Sequence, residues 1–443
     1  MAKKIGFISL GCPKNQVDSE LMLKKLADAG YEIIDTPIGA DAVIINTCGF
    51  IEAAKQESID NIFEMAGYKE DGDVGKIIVV GCMAERYREE ILKEMPEVDA
   101  VAGIGANGDI VSFVDSVFEG KENMLFPEKE KLPLCGERLL TTPSYRAYLK
   151  IADGCSNCCT YCAIPKIRGP QRSRPIESIV EEAKRLASDG VKELTVIAQD
   201  TTRYGDDIYG EPKLDELLKQ LDVIDGIEWI RLLYCYPDRL TDSVLETMRD
   251  SKHVLHYIDL PLQHANGRIL KAMNRRGDSA SLLALIGKIR DYMPDCVIRT
   301  TFMTGFPGED DEAFNELSEF VNAARFDRLG CFAFSPEEGT AAADMTERPE
   351  KEVAEHRGEV IMDQQYKIFC EKQEELIGER VRCIVEDYDG YTDVYSGRTW
   401  RDAPKIDSGI FIISQRELDI GDFVDVEITD TKDYDLIGEV SDR

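Results

Sequence analysis

From its amino end the chain alternates short, continuously apolar runs with amphipathic stretches. Residues 4–10 (Lys-Ile-Gly-Phe-Ile-Ser-Leu), 42–46 (Ala-Val-Ile-Ile-Asn) and 76–80 (Lys-Ile-Ile-Val-Val) are of strand length. Runs that are apolar throughout, with no polar alternation, mark strands covered on both faces. Between them the apolar spacing is helical: a capped start over 18–26, a helix over 52–66, and another from near Glu85. This alternation predicts a parallel sheet with helices on its faces over residues 1–118. Residues 119–140 are charged, interrupted by Pro127 and Pro133, and without periodicity, so they read as a linker. Strand patterns then resume at 146–152, 194–198, 229–233, 257–260, 297–303 and 329–334, separated by helical patterns over 177–189, 213–222, 241–250, 279–292 and 310–324. Six such units predict an incomplete (β/α)6 barrel over 141–373, with its chemistry at the carboxyl ends of the strands. Over 374–443 the pattern changes to five short β runs, at 380–385, 391–395, 410–413, 423–428 and 435–440, divided by Gly and Asp turns. These predict a small OB-like all-β barrel. The fold class is therefore α/β, in three units.

Composition narrows the setting. Of 443 residues, 43% are hydrophobic and 31% charged, and no apolar run approaches the roughly 18–20 residues that cross a bilayer. The opening residues lead straight into a strand, so no cleaved leader is expected. Thirteen cysteines, an odd number, point to reduced cytoplasmic thiols and metal ligands over disulfides. The net charge of −32 is opposite to the basic footprint of nucleic-acid binders. Either it keeps the chain soluble or it selects a basic partner. The terminal unit, with 19 acidic against 8 basic residues, argues against a polyanion such as tRNA.

Four of the cysteines fall within 155–162. Cys155, Cys159 and Cys162 stand in a C-x3-C-x2-C spacing, with Tyr161 just before the last. Three thiolates on one loop hold three irons of a [4Fe–4S] cube and leave the fourth without a protein ligand. The same residues contain two C-x2-C pairs, Cys155/Cys158 and Cys159/Cys162, a zinc pattern. Zinc ribbons, however, separate such pairs by a dozen or more residues. The cluster is the better reading, with Cys158 a bystander. Cys12, Cys48 and Cys82 each follow a different strand of the first unit, at the edge where open α/β sheets bind ligands. Their recurrence predicts a second three-thiolate cluster site. Cys135 and Cys235 have no assigned role.

Polar residues also end the barrel strands: 199–202 (Gln-Asp-Thr-Thr), 234–237 (Tyr-Cys-Tyr-Pro), 261–264 (Pro-Leu-Gln-His), Arg299 with Thr301, and the turn 305–309 (Gly-Phe-Pro-Gly-Glu). With Tyr161, the residues Gln199, Gln263, Arg299, Gly305 and Pro307 are expected to bind the cofactor that such a cluster activates. His264 is expected to be a hydrogen-bonded wall residue. Lys166, Arg168, Arg172 and Arg174 form the one basic concentration, either solvated surface or a carboxylate site. The G-x-G-x-x-G match at 103–108 lacks a downstream acidic partner and reads as a turn. No residue is assigned a catalytic role.

The C-x3-C-x2-C loop resembles the signature of the radical S-adenosylmethionine (SAM) enzymes. With the second cysteine triplet and a terminal OB-like (TRAM) module, the resemblance to the methylthiotransferases covers nearly the whole chain. Within that family, residues 11–15 (Gly-Cys-Pro-Lys-Asn), 46–51 (Asn-Thr-Cys-Gly-Phe-Ile) and 259–264 (Asp-Leu-Pro-Leu-Gln-His) are similar to the branch that modifies ribosomal protein S-12. The resemblance implies two [4Fe–4S] clusters, one on Cys155, Cys159 and Cys162 and one on Cys12, Cys48 and Cys82. It also implies SAM as radical source and methyl donor, and sulfur insertion at the β-carbon of an aspartate of S-12. A reductant such as flavodoxin or ferredoxin and a sulfur donor are implied as partners. The alternatives are the same chemistry on a tRNA adenosine, or a non-catalytic iron–sulfur carrier.

Overall fold

The structure is a computed structural model and describes residues 2–441. Its first sheet has six strands: β1 (Lys4–Ser9), β2 (Glu32–Ile34), β3 (Ala42–Thr47), β4 (Ile77–Gly81), β5 (Ala100–Ala102) and β6 (Met124–Leu125). All pair in parallel, in the order β2-β1-β3-β4-β5-β6. Neighbouring residues on a strand point to opposite faces. Val43, Ile45, Ile77 and Val79 therefore enter one core, while Ala42, Ile44, Ile78 and Val80 enter another. Helices Pro13–Asp28 and Ile110–Glu119 cover one face and Glu52–Glu70 the other. Ile44 and Ile45 are fully buried, each contributing about 1.5–3 kcal/mol. Two covered faces explain why these strands are apolar without alternation.

Two details differ from the sequence reading. The first helix begins at Pro13, not 18, because proline lacks only an N–H that the first helical turn leaves unpaired in any case. The stretch 119–140 is also not wholly irregular, since β6 adds to the sheet beside β5 (Val101↔Met124).

The second sheet contains β7 (Arg146–Lys150), β10 (Glu193–Ile197), β11 (Trp229–Leu232), β12 (Val254–Asp259), β13 (Val297–Thr304) and β14 (Arg328–Ala333), with a short separate pair, β8 (Ala152–Asp153) and β9 (Arg172–Ser173), between β7 and β10. The six main strands are parallel and sequential, and β7 and β14 form the open edges. This is the incomplete six-unit barrel. Helix Lys351–Glu374 leads out of it to β15 (Arg380–Asp389), β16 (Val394–Thr399), β17 (Ile410–Ile413), β18 (Phe423–Lys432) and β19 (Asp435–Val440), which close a five-stranded barrel. The strand expected at 391–395 starts at Val394. Residues 390–393 form the turn before it, where the Asp389 carboxylate accepts from the Tyr391 N–H (2.9 Å).

The small barrel docks on the amino ends of the large barrel's strands. Tyr145, Trp229 and Val297 share a core with Ile384 and Ala403, and Trp229 meets Phe423 edge to face at 4.7 Å. Fully buried Glu193 accepts from Arg398 (2.6 Å) and Arg231 (3.2 Å). Burial would raise its carboxyl, but these two guanidiniums hold it below the usual range. The carboxyl ends of the strands are left to face the first unit. Among the described residues, no helix is long and apolar enough to cross a membrane.

Candidate active site

The order of the first sheet reverses between β1 and β3, and such switch points form ligand crevices at the carboxyl ends of the strands. Cys12 follows β1 and caps the helix Pro13–Asp28, Cys48 follows β3, and Cys82 follows β4 and opens the short helix Cys82–Tyr87. The loops carrying them approach so closely that only glycine fits between them. A Cβ on Gly11 would lie 2.6 Å from the Cys48 Cβ, and one on Gly49 would lie 2.8 Å from the Met83 Cα. The Asn15 amide ties the same loops together, donating to the carbonyls of Leu10 (2.8 Å), Asn46 (3.3 Å) and Thr47 (3.3 Å).

Positive charge gathers at this triplet. Arg168 is almost fully buried. Its Nη1 donates to Asp18 (2.9 Å) and Asp153 (3.0 Å), and its Nη2 lies 3.5 Å from the Cys82 Sγ. Burial pushes the Cys82 thiol up to about 12 and raises Cys48 as well. Burial opposes ionisation of Cys12 too, yet Lys14, Arg168 and the backbone N–H groups of Asn15 and Lys14 bring that thiol below its ordinary value. Metals bind the thiolate, so buried cations beside three thiols suit an anionic ligand set.

The second triplet is made by one loop. Strands β8 and β9 pinch its base, with Asp153 opposite Arg172, and the Cys155 N–H donates to the Gly169 carbonyl (3.1 Å). Thr160 fastens the loop to the barrel, its N–H to the Met273 carbonyl (3.1 Å) and its hydroxyl to that of Ala272 (2.9 Å). Burial pushes Cys155 up to about 11 and Cys162 up to about 12. Cys158 is exposed and has a left-handed backbone (φ 53°).

All six cysteines, Cys12, Cys48, Cys82, Cys155, Cys159 and Cys162, line a single cavity of about 310 Å³ between the two units. Tyr161, Gln199 and Gln263 line it with them. The Gln199 Nε2 donates to Asp153 (3.0 Å), while its buried Oε1 has no partner among the described residues. The Tyr161 hydroxyl lies 3.4 Å from Arg275. No three His, Cys, Asp or Glu side chains among the described residues close on one point as a single ion requires. A four-iron cube instead spreads its thiolates over separate irons.

The other expected cofactor residues stand apart from this lining. Arg299 is the third residue of β13, well below the strand's carboxyl end, and it is drawn to Asp259 (2.8 Å) and toward Asp407 of the small barrel (3.6 Å). Gly305 turns its Cα against Ala354 of the long helix and donates its N–H to Glu309 (3.0 Å). Pro307 lines a different cleft of about 400 Å³, with Arg268 and Gly308.

Among the basic residues after the loop, Arg168 and Arg174 are buried in ion pairs, Arg174 with Glu182 (2.6 Å). Arg172 donates to the carbonyls of Glu130 (3.0 Å) and Leu132 (2.8 Å), and Lys166 to that of Gly339. Lys166 is exposed and Arg172 half-buried, so only Arg168 and Arg174 are withdrawn from solvent. His264 is hydrogen-bonded as expected, buried between Glu309 (3.2 Å) and the Asn266 N–H (3.0 Å), but it is not among the residues that line the cavity. The glycine motif folds as the 3-10 turn Ile104–Gly108, whose first N–H donates to Glu85 (3.1 Å).

The strand-end residues Tyr234 and Tyr236 line the cavity as well, whereas sequence reasoning missed Lys14 and Arg275 as lining residues. Tyr234 (φ 62°) and Gln263 (φ 72°) are left-handed, a conformation that side chains other than glycine and asparagine rarely adopt. Tyr234 is held so by its N–H to Asp259 (3.0 Å). Gln263 exchanges backbone hydrogen bonds with Thr301 and Met303 (both 2.8 Å). Lys14, two residues from Cys12, had a local signal in the sequence, whereas Arg275 had none.

Comparison with known proteins agrees with this layout. Residues 4–103 match the uncharacterized protein family UPF0004, 149–321 the Radical SAM superfamily and 377–440 the TRAM domain. A solved structure of the radical SAM methyltransferase TsrM from Kitasatospora setae, with cobalamin and a [4Fe-4S] cluster bound, shares the fold at a TM-score of 0.58 and 13% identity, over 77% of each chain. The ribosomal protein uS12 methylthiotransferase RimO of Desulforamulus reducens is 49% identical, covering 99% of each chain. Its counterpart in Lachnoclostridium phytofermentans is 47% identical over 98% of this chain and 99% of its own. With relatives at this identity from end to end, the chain belongs to the RimO family of ribosomal protein uS12 methylthiotransferases.

Proposed function

We propose that this radical SAM methylthiotransferase replaces one hydrogen on the β-carbon of an aspartate of ribosomal protein uS12 with a methylthio group. The observation that carries the reading is the one cavity onto which both cysteine triplets open. Cys155, Cys159 and Cys162 would hold one [4Fe–4S] cluster and Cys12, Cys48 and Cys82 the other, and the buried thiols with Arg168 beside them fit such groups. When bound, the first cluster supplies the electron that cleaves SAM to a hydrogen-abstracting radical, and the second carries the sulfur. An unactivated C–H bond has no acidic proton for a side-chain base to remove, so this chain contributes binding, orientation and exclusion of water.

Tyr161, Gln199 and Gln263 orient SAM from the barrel side. The free Oε1 of Gln199 offers an acceptor to its amino group, and Tyr161 and Tyr234 wall off solvent. Arg299, Gly305 and Pro307 act one layer back, by fixing the ends of β12 and β13. The acidic terminal barrel suits a basic ribosomal protein and disfavours tRNA. A reductant such as flavodoxin or ferredoxin and a sulfur donor complete the reaction, in the cytoplasm.

Anaerobically reconstituted enzyme, given SAM and a reductant, would be offered a uS12 peptide and bulk tRNA side by side. The expected product, by mass spectrometry, is one methylthio group on the peptide's aspartate. Modification of tRNA adenosine alone would overturn the substrate.

A further inference from the structure

Three cations line the cavity: Arg168, Arg275 and Lys14. Arg168 is committed to Asp18 and Asp153. Arg275 donates to the Pro261 carbonyl (2.7 Å) and lies 4.1 Å over the Tyr236 ring. Like Arg275 and unlike Arg168, Lys14 has no carboxylate partner among the described residues, and unlike Arg275 it donates to no carbonyl among them. It is 7% exposed, and its Nζ lies 3.3 Å from the centroid of the Tyr234 ring. An aromatic face offsets only about 0.5–2 kcal/mol of a desolvated ammonium, whereas an unpaired buried charge costs far more. The cavity thus presents a cation with the Cys12 thiol near it but no carboxylate beside it.

We infer that Lys14 is the specificity-determining residue that binds the side-chain carboxylate of the substrate aspartate. This rests on the aspartate reading above and deepens it. The carboxylate is bonded directly to the β-carbon, so a contact at Lys14 holds the reacting carbon within one bond of its anchor. Lys14 stands on the first turn after Cys12, the side of the cavity assigned to sulfur delivery, and its Nζ reaches Tyr234, just past the end of a barrel strand. Tyr234 keeps the ammonium in place through a chain of contacts. The Tyr234 N–H is held by Asp259 (3.0 Å), Asp259 by Arg299 (2.8 Å), and Arg299 approaches Asp407 (3.6 Å). The nearest competing anion is the thiolate of Cys12 itself, so a role in holding the cluster is the alternative to be separated.

The test is a double-mutant cycle between enzyme and peptide. Reconstituted wild type, Lys14→Gln and Lys14→Arg would be titrated by fluorescence anisotropy with a uS12 peptide carrying either Asp or Asn at the modified position. Iron content and SAM affinity would be measured on each. The wild type is expected to bind the Asp peptide more tightly than the Asn peptide by about 10- to 100-fold, the range of a charge-assisted hydrogen bond. Lys14→Gln should lose that preference while its affinity for the Asn peptide changes little, and Lys14→Arg should keep part of it. Equal weakening of both peptides, an intact preference, lost iron or a weakened SAM affinity in Lys14→Gln would each overturn the inference. Wild type that modifies the Asp peptide yet binds both peptides alike refutes only Lys14's role. Wild type that modifies neither refutes the substrate reading and this inference with it.

Discussion

The two cysteine triplets face one cavity but are built in opposite ways. Cys155, Cys159 and Cys162 share a loop whose base is closed by the β8–β9 pair, so their spacing is encoded locally. Cys12, Cys48 and Cys82 lie on three loops and meet only when β1, β3 and β4 are in register, with glycines allowing the approach. A loop-borne site tolerates change in the surrounding sheet. A sheet-borne site fails whenever register or loop contact fails. The charges differ as well. Arg168, six residues beyond the barrel triplet, reaches across to the Cys82 Sγ of the other and joins the two.

Arg168→Met should have the largest effect on that joint. It leaves Asp18 and Asp153 buried without their guanidinium partner, a loss of about 3–5 kcal/mol for a broken buried pair, seen as a lower Tm. Burial alone would raise the Asp153 carboxyl, but Arg168, then Lys150, hold it below the usual carboxylate range. A carboxyl depressed in the folded state stabilises above its unfolded value, and that stability is lost as pH falls through the folded value. The Tm gap between wild type and variant should therefore be full near neutrality and narrow below about pH 4. A gap that does not change with pH would assign the loss to packing alone.

Gly49→Ala probes the sheet-borne site by itself. Its Cβ would press on the Met83 backbone at 2.8 Å, a strain of about 1–3 kcal/mol. Iron bound per chain should fall while reductive SAM cleavage continues. Loss of SAM cleavage with retained iron would contradict the independence of the two sites. The smallest effect is expected from Cys158→Ala, because this thiol is exposed and, among the described residues, hydrogen-bonds only to the Ser156 carbonyl (3.7 Å). Iron content should be unchanged. A drop would revive the reading of two C-x2-C pairs.

What was legible in the sequence follows the same division. The loop motif and the apolar strands were plain, because local spacing and two-sided burial leave direct marks. The three strand-end cysteines were legible once the strands were placed. The wall of the cavity was legible in part: Tyr161 stood out in the loop motif and Gln199, Gln263, Tyr234 and Tyr236 at strand ends, whereas Lys14 and Arg275 did not. Tyr234 and Gln263 face it through left-handed backbones held by hydrogen bonds to β12 and β13, which no pattern announces. Arg299 sits on an expected strand, but its level along that strand puts it with Asp259 of β12 and Asp407 of the small barrel. Arg168 and Arg174 read either as solvated surface or as a carboxylate site, because the carboxylates that bury with them, Asp18, Asp153 and Glu182, are distant in sequence or on another element.

The most direct test of two sites on one cavity is iron per chain, measured with 5′-deoxyadenosine formation, in two triple variants. Replacing Cys155, Cys159 and Cys162 by Ala should halve the iron and abolish SAM cleavage. Replacing Cys12, Cys48 and Cys82 should also halve the iron, leave SAM cleavage measurable and stop methylthio transfer. Full iron retention in either variant would contradict the account.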